Sequence, residues 1–365
     1  MNKAFILVLT SIFFWSCSDN NEPGTSSDGF NREEMLINWA DNLIIPAYEG
    51  YYTDLTALKE ATQTFIGSPE QRNLDLLRDK WLAAYLSWQN VSLFEIGKAE
   101  LLTLRDFTNI YPTSSADIES NIVLGTYDFT LPSMRNQQGF PAVDYLINGL
   151  GDDIAILNKY QGNAQYGTYL NDVVNRMYSL TTEVVNDWKN GYRDVFVSKS
   201  GSDATSSVNK LVNDFLLYYE KSLRAGKVGI PAGVFSTTPL ADRVEGYYKE
   251  DISKQLLLAG LTTSINFFNG KSYSGSVDGI GLDDYLTYLN TISDGENLSM
   301  LINSQFGVAQ ETINALDNSF VNQIETDNSK MLAAFDELQK NVLLLKIDMF
   351  QALNIKVDYV DADGD

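Results

Sequence analysis

The sequence predicts an all-α protein of long antiparallel helices, most simply arranged as two helical bundles. Three observations predict it. Apolar residues recur three or four positions apart along almost the whole chain, the spacing that lays one stripe on a helix. Runs that alternate with period two, as half-buried strands do, are missing from the sequence. A Ser-, Gly- and Asp-rich stretch, "KSGSDATSS" at Lys199–Ser207, falls mid-chain with about four long stripes on each side. The 365 residues are ample for two such units, each with its own core.

The elements follow in order. "MNKAFILVLTSIFFWSC" opens with Lys3 and an apolar run from Ala4 to Trp15. The run is too short and wrongly flanked to span a membrane, and it fits a secretory signal peptide over residues 1–16. Cys17, the chain's single cysteine, follows Ser16 directly. That placement resembles a bacterial lipobox, with Phe14 where leucine is commoner, and implies cleavage before Cys17 and lipidation there. The polar "SDNNEPGTSSDG" that follows lacks apolar anchors, so residues 17–30 are expected to be a disordered tether. Its acids also resemble export signals of surface lipoproteins of the Bacteroides group.

Residues 31–198 are expected to form the first bundle. Leu36, Trp39, Leu43, Ala47, Tyr51, Leu55 and Leu58 make one stripe, with a kink expected at Pro46. Gly67 stops it, and Ser68-Pro69-Glu70 reads as a cap, a first-turn proline and an early acid. Leu74, Leu77, Trp81, Ala84, Trp88 and Val91 continue, and Leu170, Val173, Met177, Leu180, Val184 and Trp188 form another stripe. After the 199–207 linker, residues 208–356 are expected to form the second bundle. It holds Val208, Leu211, Phe215 and Tyr219, and a last stripe from Phe335 to Leu353. The remainder, 357–365, is an acidic tail in which Asp361, Asp363 and Asp365 suggest the start of a calcium loop without its closing glutamate. Two insertions, Thr103–Gly162 and Gly226–Tyr248, interrupt the pattern. Irregular insertions on a rigid scaffold are where function concentrates.

Composition excludes several chemistries. The chain has no histidine, so histidine-based nucleophilic catalysis is ruled out and the commonest zinc ligand is missing. With 26 Lys+Arg against 48 Asp+Glu, its surface repels nucleic acid. Within "QGFPAVDYLINGLGDD", Gln138–Asp153, an acid stands among apolar residues on a short helix that starts near Pro141 and closes before Gly149. Placed in the helix's first turn, Asp144 suits three roles: a structural acid paired with an arginine or the backbone, a hydrogen-bonding group for an organic ligand, or a ligand for a hard cation.

From about Trp39 to Leu353 the chain resembles the imelysin family. "NLIIPAYEGYYTDLTAL" is similar to the family's opening helix. "LRDKWLAAYLSWQNVSLFEIG" is similar to its second helix, and "KVGIPAG" followed by "DRVEGYYKEDIS" to a segment of its second half. The family signature, G-x-H-x-x-E continuing A-I/V-E-Y-L-L, falls on Gly139, Pro141 and Asp144, so proline replaces histidine and aspartate replaces glutamate. Ser92 stands where a further glutamate is expected. The resemblance implies two bundles with a site in a crevice between them, and an outer-membrane lipoprotein facing the periplasm or the cell surface. It also implies an association with iron acquisition and an outer-membrane uptake partner. The expected ligand-binding residues are Asp144, Gly139, Pro141, Tyr145, Trp88, Gln89, Ser92, Glu245 and Tyr247, with Asp144 and Glu245 as possible ligands for iron or another hard cation. No catalytic residue is assigned. The alternatives are a metal-dependent hydrolase with Asp144 and Glu245 as acid and base, and a purely structural interaction module.

Overall fold

The computed structural model describes residues 28–293 and 295–359. Cys17, the signal segment and the tail acids Asp361, Asp363 and Asp365 lie outside the described residues. The fold is all-α. Among the described residues the only strands are a two-residue hairpin, Ile292–Ser293 against Glu296–Asn297.

On the N-terminal side of the 199–207 stretch, the helix Ile45–Gly67 packs along both Gln71–Gln89 and Ala164–Asp187. On the C-terminal side, Leu298–Asn314 packs on Ser329–Leu343, which also lies along 218–229. The helix Ser253–Phe268 reaches across to Gln71–Gln89 and joins the two sides. The predicted stripes are the buried faces: Leu55, Leu58, Leu74, Leu77, Trp81, Leu170, Val173, Leu211, Phe215, Leu338 and Val342 are all fully buried. Burying each such side chain contributes about 1.5–3 kcal/mol before chain entropy is set against it.

Several helices widen into π-type turns. One, Trp39–Ile44, precedes Pro46 in the first turn of the following helix. Pro46 has no N–H to return to the carbonyl of Asn42. That carbonyl instead accepts the backbone N–H of Tyr273 at 2.8 Å, so the acceptor freed by Pro46 links the two sides of the fold. A longer π-type stretch, Tyr218–Gly229, runs up to Ile230-Pro231, where another proline removes a helical donor.

Four expectations need correction. The second long helix begins at Gln71 with Glu70 as its cap, and Ser68 and Pro69 stay in the connecting turn. The end of the supposed tether is packed: Phe30 stacks on Tyr285 with ring centroids 4.2 Å apart, and Asp28 pairs with Arg32 at 2.6 Å. The start of the supposed tail is docked as well, since Tyr359 donates to the buried Glu220 at 2.5 Å and Asn213 accepts from the Asp358 N–H at 3.0 Å. Asp144 is not in a first turn: the helix is Gly139–Asn148, which places the acid in its second turn.

Candidate functional site

The two insertions meet. The first supplies the short helix Gly139–Asn148 and the segment 105–113; the second supplies 226–248. Gly139 makes the meeting possible. Its φ is +77°, a region that side chains disfavour, and a Cβ there would lie 2.2 Å from the carbonyl oxygen of Thr108. The glycine thus lets the helix start press directly on the 105–113 segment, while Phe140 stacks on Tyr85 at 4.5 Å.

Asp144 is buried and faces the second insertion. Its Oδ2 accepts the backbone N–H of Tyr248 at 3.0 Å and its Oδ1 accepts the side-chain amide of Asn148 at 2.9 Å. Burial pushes its carboxyl up to about 7, against these donors, which favour the ionised form. Of the roles open to it, the backbone partner is the one the geometry supplies: Asp144 fastens the 244–248 turn to the first insertion. Pro141, in the histidine's place, lines a cleft of about 140 Å³ together with Asp144, Tyr111, Asp242, Tyr247 and Tyr248. Tyr145 donates to Glu119 at 2.7 Å and packs on the Tyr248 ring at 5.2 Å. Tyr247 is exposed at the cleft mouth.

Glu245 is buried rather than a surface acid. It forms an ion pair with Lys227, also buried, and accepts amide N–H groups from Asn109 at 2.7 Å and Gln89 at 3.2 Å. Lys227 in turn donates to Gln89 Oε1 at 2.9 Å. Burial pushes the Lys227 ammonium below its ordinary range, opposed by the Glu245 charge. Tyr85 donates to Asn109 at 2.7 Å and completes the network. Removing either ion of such a pair would strand the other in a low-dielectric interior at a cost of about 3–5 kcal/mol. Glu245, on the 244–248 turn, and Asp144, which fastens that turn from the helix Gly139–Asn148, therefore have separate partner sets.

Above this network opens a cleft of about 380 Å³. Trp88, Gln89 and Ser92 line it from the second long helix and its end; Asn109, Ile110 and Tyr111 line it from the first insertion; Tyr218, Lys221 and Lys227 from the π-type stretch. Trp88 serves the core too, 5.5 Å from the Tyr51 ring. The cleft's side wall carries a second buried ion cluster. Arg105 pairs with Asp214 and, at 3.1 Å, with Glu95, whose carboxyl burial pushes up to about 7. Of the residues expected from the sequence to form one ligand site, Trp88, Gln89 and Ser92 line this cleft, Asp144, Pro141 and Tyr247 line its smaller neighbour, and Gly139, Tyr145 and Glu245 line neither; Tyr111 lines both clefts. Lys227, Arg105, Asn109 and Tyr218 were not among those expected. Their signal was present: Lys227 stands among glycine and apolar residues in "AGKVG", where a solvated lysine is out of place. Among the described residues no three acids gather where they could hold a metal ion.

The family model described as Imelysin matches residues 44–344. No curated protein matches the chain. Among solved structures, it is similar to a protein of Parabacteroides distasonis named as a candidate iron-regulated protein A precursor. There the TM-score is 0.68 at 20% identity, covering 87% of this chain and 95% of that one. It is also similar to an imelysin-like protein of Psychrobacter arcticum, with a TM-score of 0.67 at 16% identity, covering 90% of this chain and 97% of that one. At these identities the likeness is one of fold.

Proposed function

The chain belongs to the imelysin family, and from that premise we propose that it is a lipoprotein of the cell envelope that captures a ligand for iron or haem uptake and cuts no peptide. Lipidated Cys17 would hold it to the outer membrane, facing the periplasm or the surface, beside an uptake partner. The iron association draws on the family and on the name of the Parabacteroides relative. One observation carries the reading of the site. Where the signature has its histidine this chain has Pro141, and Asp144 is spent on the Tyr248 N–H, next to an open, polar-floored cleft. A catalytic zinc needs about three protein ligands and an open water position. The motif positions here work as a latch between insertions, which leaves the cleft for binding.

The test is thermal unfolding of a soluble form beginning after Cys17, with ferric and ferrous iron, calcium, zinc, haem and siderophores. A ligand at about 100 times its Kd adds roughly 2.7 kcal/mol to stability, a readable shift. The expected result is a shift with haem or an iron species that disappears in Ser92→Phe, which fills the cleft. Protein digestion abolished by Asp144→Ala would instead restore the hydrolase.

A further inference from the structure

We propose that the 380 Å³ cleft takes a small organic polyanion of the carboxylate class, free or as its iron chelate, gripped by Lys227 at the floor and by Arg243 and Lys221 at the rim. This rests on the ligand-capture reading above and names its ligand class.

The charge distribution carries the argument. The chain is strongly acidic, with a formal net charge of −22, yet Arg105, Lys221, Lys227 and Arg243 all line this one cleft. Among the described residues only two acids line it, Glu95 and Asp106, and both are turned to protein partners. Glu95 accepts the backbone N–H of Arg105 at 2.7 Å through one oxygen and pairs with its guanidinium through the other. Asp106 pairs with Arg135 at 2.9 Å. Asp214 and Glu245 offset Arg105 and Lys227 from behind. At the rim, Arg243 is half-exposed, with the neighbouring Asp242 at 3.7 Å. A guanidinium in that position is a forked donor suited to a carboxylate.

A second, independent observation points inward. Lys227 lines the cleft as well as the network beneath it, and Gln89 and Glu245 take two of its three ammonium protons, which leaves one donor for a ligand. Trp88, Ile110, Tyr111, Leu217 and Ile230 supply apolar walls. The volume lies in the small-molecule range of about 300–1,000 Å³.

The experiment is calorimetric titration of the same soluble form with citrate, ferric citrate, phthalate and its uncharged counterpart phthalamide. Citrate or phthalate should bind, phthalamide should not, and comparison of citrate with ferric citrate tells the free acid from the chelate. Arg243→Glu, on an exposed side chain, should weaken carboxylate binding on the order of tenfold, about one close charge contact's worth, without altering the melting temperature of the free protein. Equal binding of phthalamide, or carboxylate affinities unmoved by Arg243→Glu, would overturn the anion class. Haem or metal shifts with no carboxylate binding would overturn it too while sparing ligand capture. Silence from every probe would sink both.

Discussion

Asp144 shows how much of a residue's role is decided by what lies across from it. The sequence gives it a short apolar helix and no hint of its partner, which is a backbone N–H 104 positions away. Its burial has a measurable consequence. An unfolded aspartate ionises near 3.9, whereas this one is pushed up to about 7. Between those values the folded chain holds a proton that the unfolded chain has released. Stability from this group is therefore full below about 4, falls as pH rises to about 7, and is level above. Glu95, also raised to about 7 by burial, adds in the same direction. In Asp144→Asn the amide oxygen can still accept from Tyr248, and a flipped Asn148 amide restores the other bond. The variant should thus lose most ground to the wild type at pH 4 and least at pH 8, with the gap narrowing between. Melting curves at pH 4, 6 and 8 read this directly. A gap of constant size would mean that Asp144 titrates as an ordinary surface acid.

At the scale of elements, the helices were legible because each buries one stripe, and a stripe is a local property of sequence. Gly67 as a stop, the helix over Gly139–Asn148 and the interruption at Pro46 were legible for the same reason: each follows from backbone chemistry a few residues wide. The docking of 28–30 and 357–359 was not, because Phe30 and Tyr359 find partners 255 and 139 positions away, and a polar segment with one aromatic reads as a tether until its pocket is known. The Lys227–Glu245 pair was hidden for a related reason. Both residues lie in one insertion, but the amides of Gln89 and Asn109 that make their burial tolerable come from the other side of the fold. Gly139 is where local and long-range demands meet. In Gly139→Ala the new Cβ would carry the positive-φ penalty and collide with Thr108 backbone, which cannot swing aside as a side chain could. We expect a loss of about 3 kcal/mol or more, at the upper end of strain costs. Urea unfolding would register it as a lower midpoint at unchanged slope. A loss under about 1 kcal/mol would mean that the two segments are free to separate.

The whole molecule raises the question of whether the chain on either side of 199–207 behaves as two units or one. The buried apolar residues form a single continuous cluster from Met35 to Ile355. Its seam is dense. Trp39 packs on Phe267 at 4.7 Å, Asn38 donates to the carbonyls of Gly270 and Ile280, and Thr263 donates to Asn90. The buried ion clusters straddle the seam as well, with Arg105 on one side and Asp214 on the other. Opening the two sides would part Arg105 from Asp214 and leave Glu245 without Gln89 and Asn109, so neither side has a low-energy state of its own. The expectation is one cooperative transition. The chain offers a natural pair of probes, because Trp39, Trp81, Trp88 and Trp188 all precede residue 199, whereas helices on both sides contribute to far-UV circular dichroism. Followed in urea, tryptophan fluorescence and circular dichroism should trace coincident curves. A fluorescence midpoint displaced from the circular-dichroism midpoint would show the two bundles unfolding separately. The clefts would then lie on a hinge, and a ligand bound there should draw the two midpoints together.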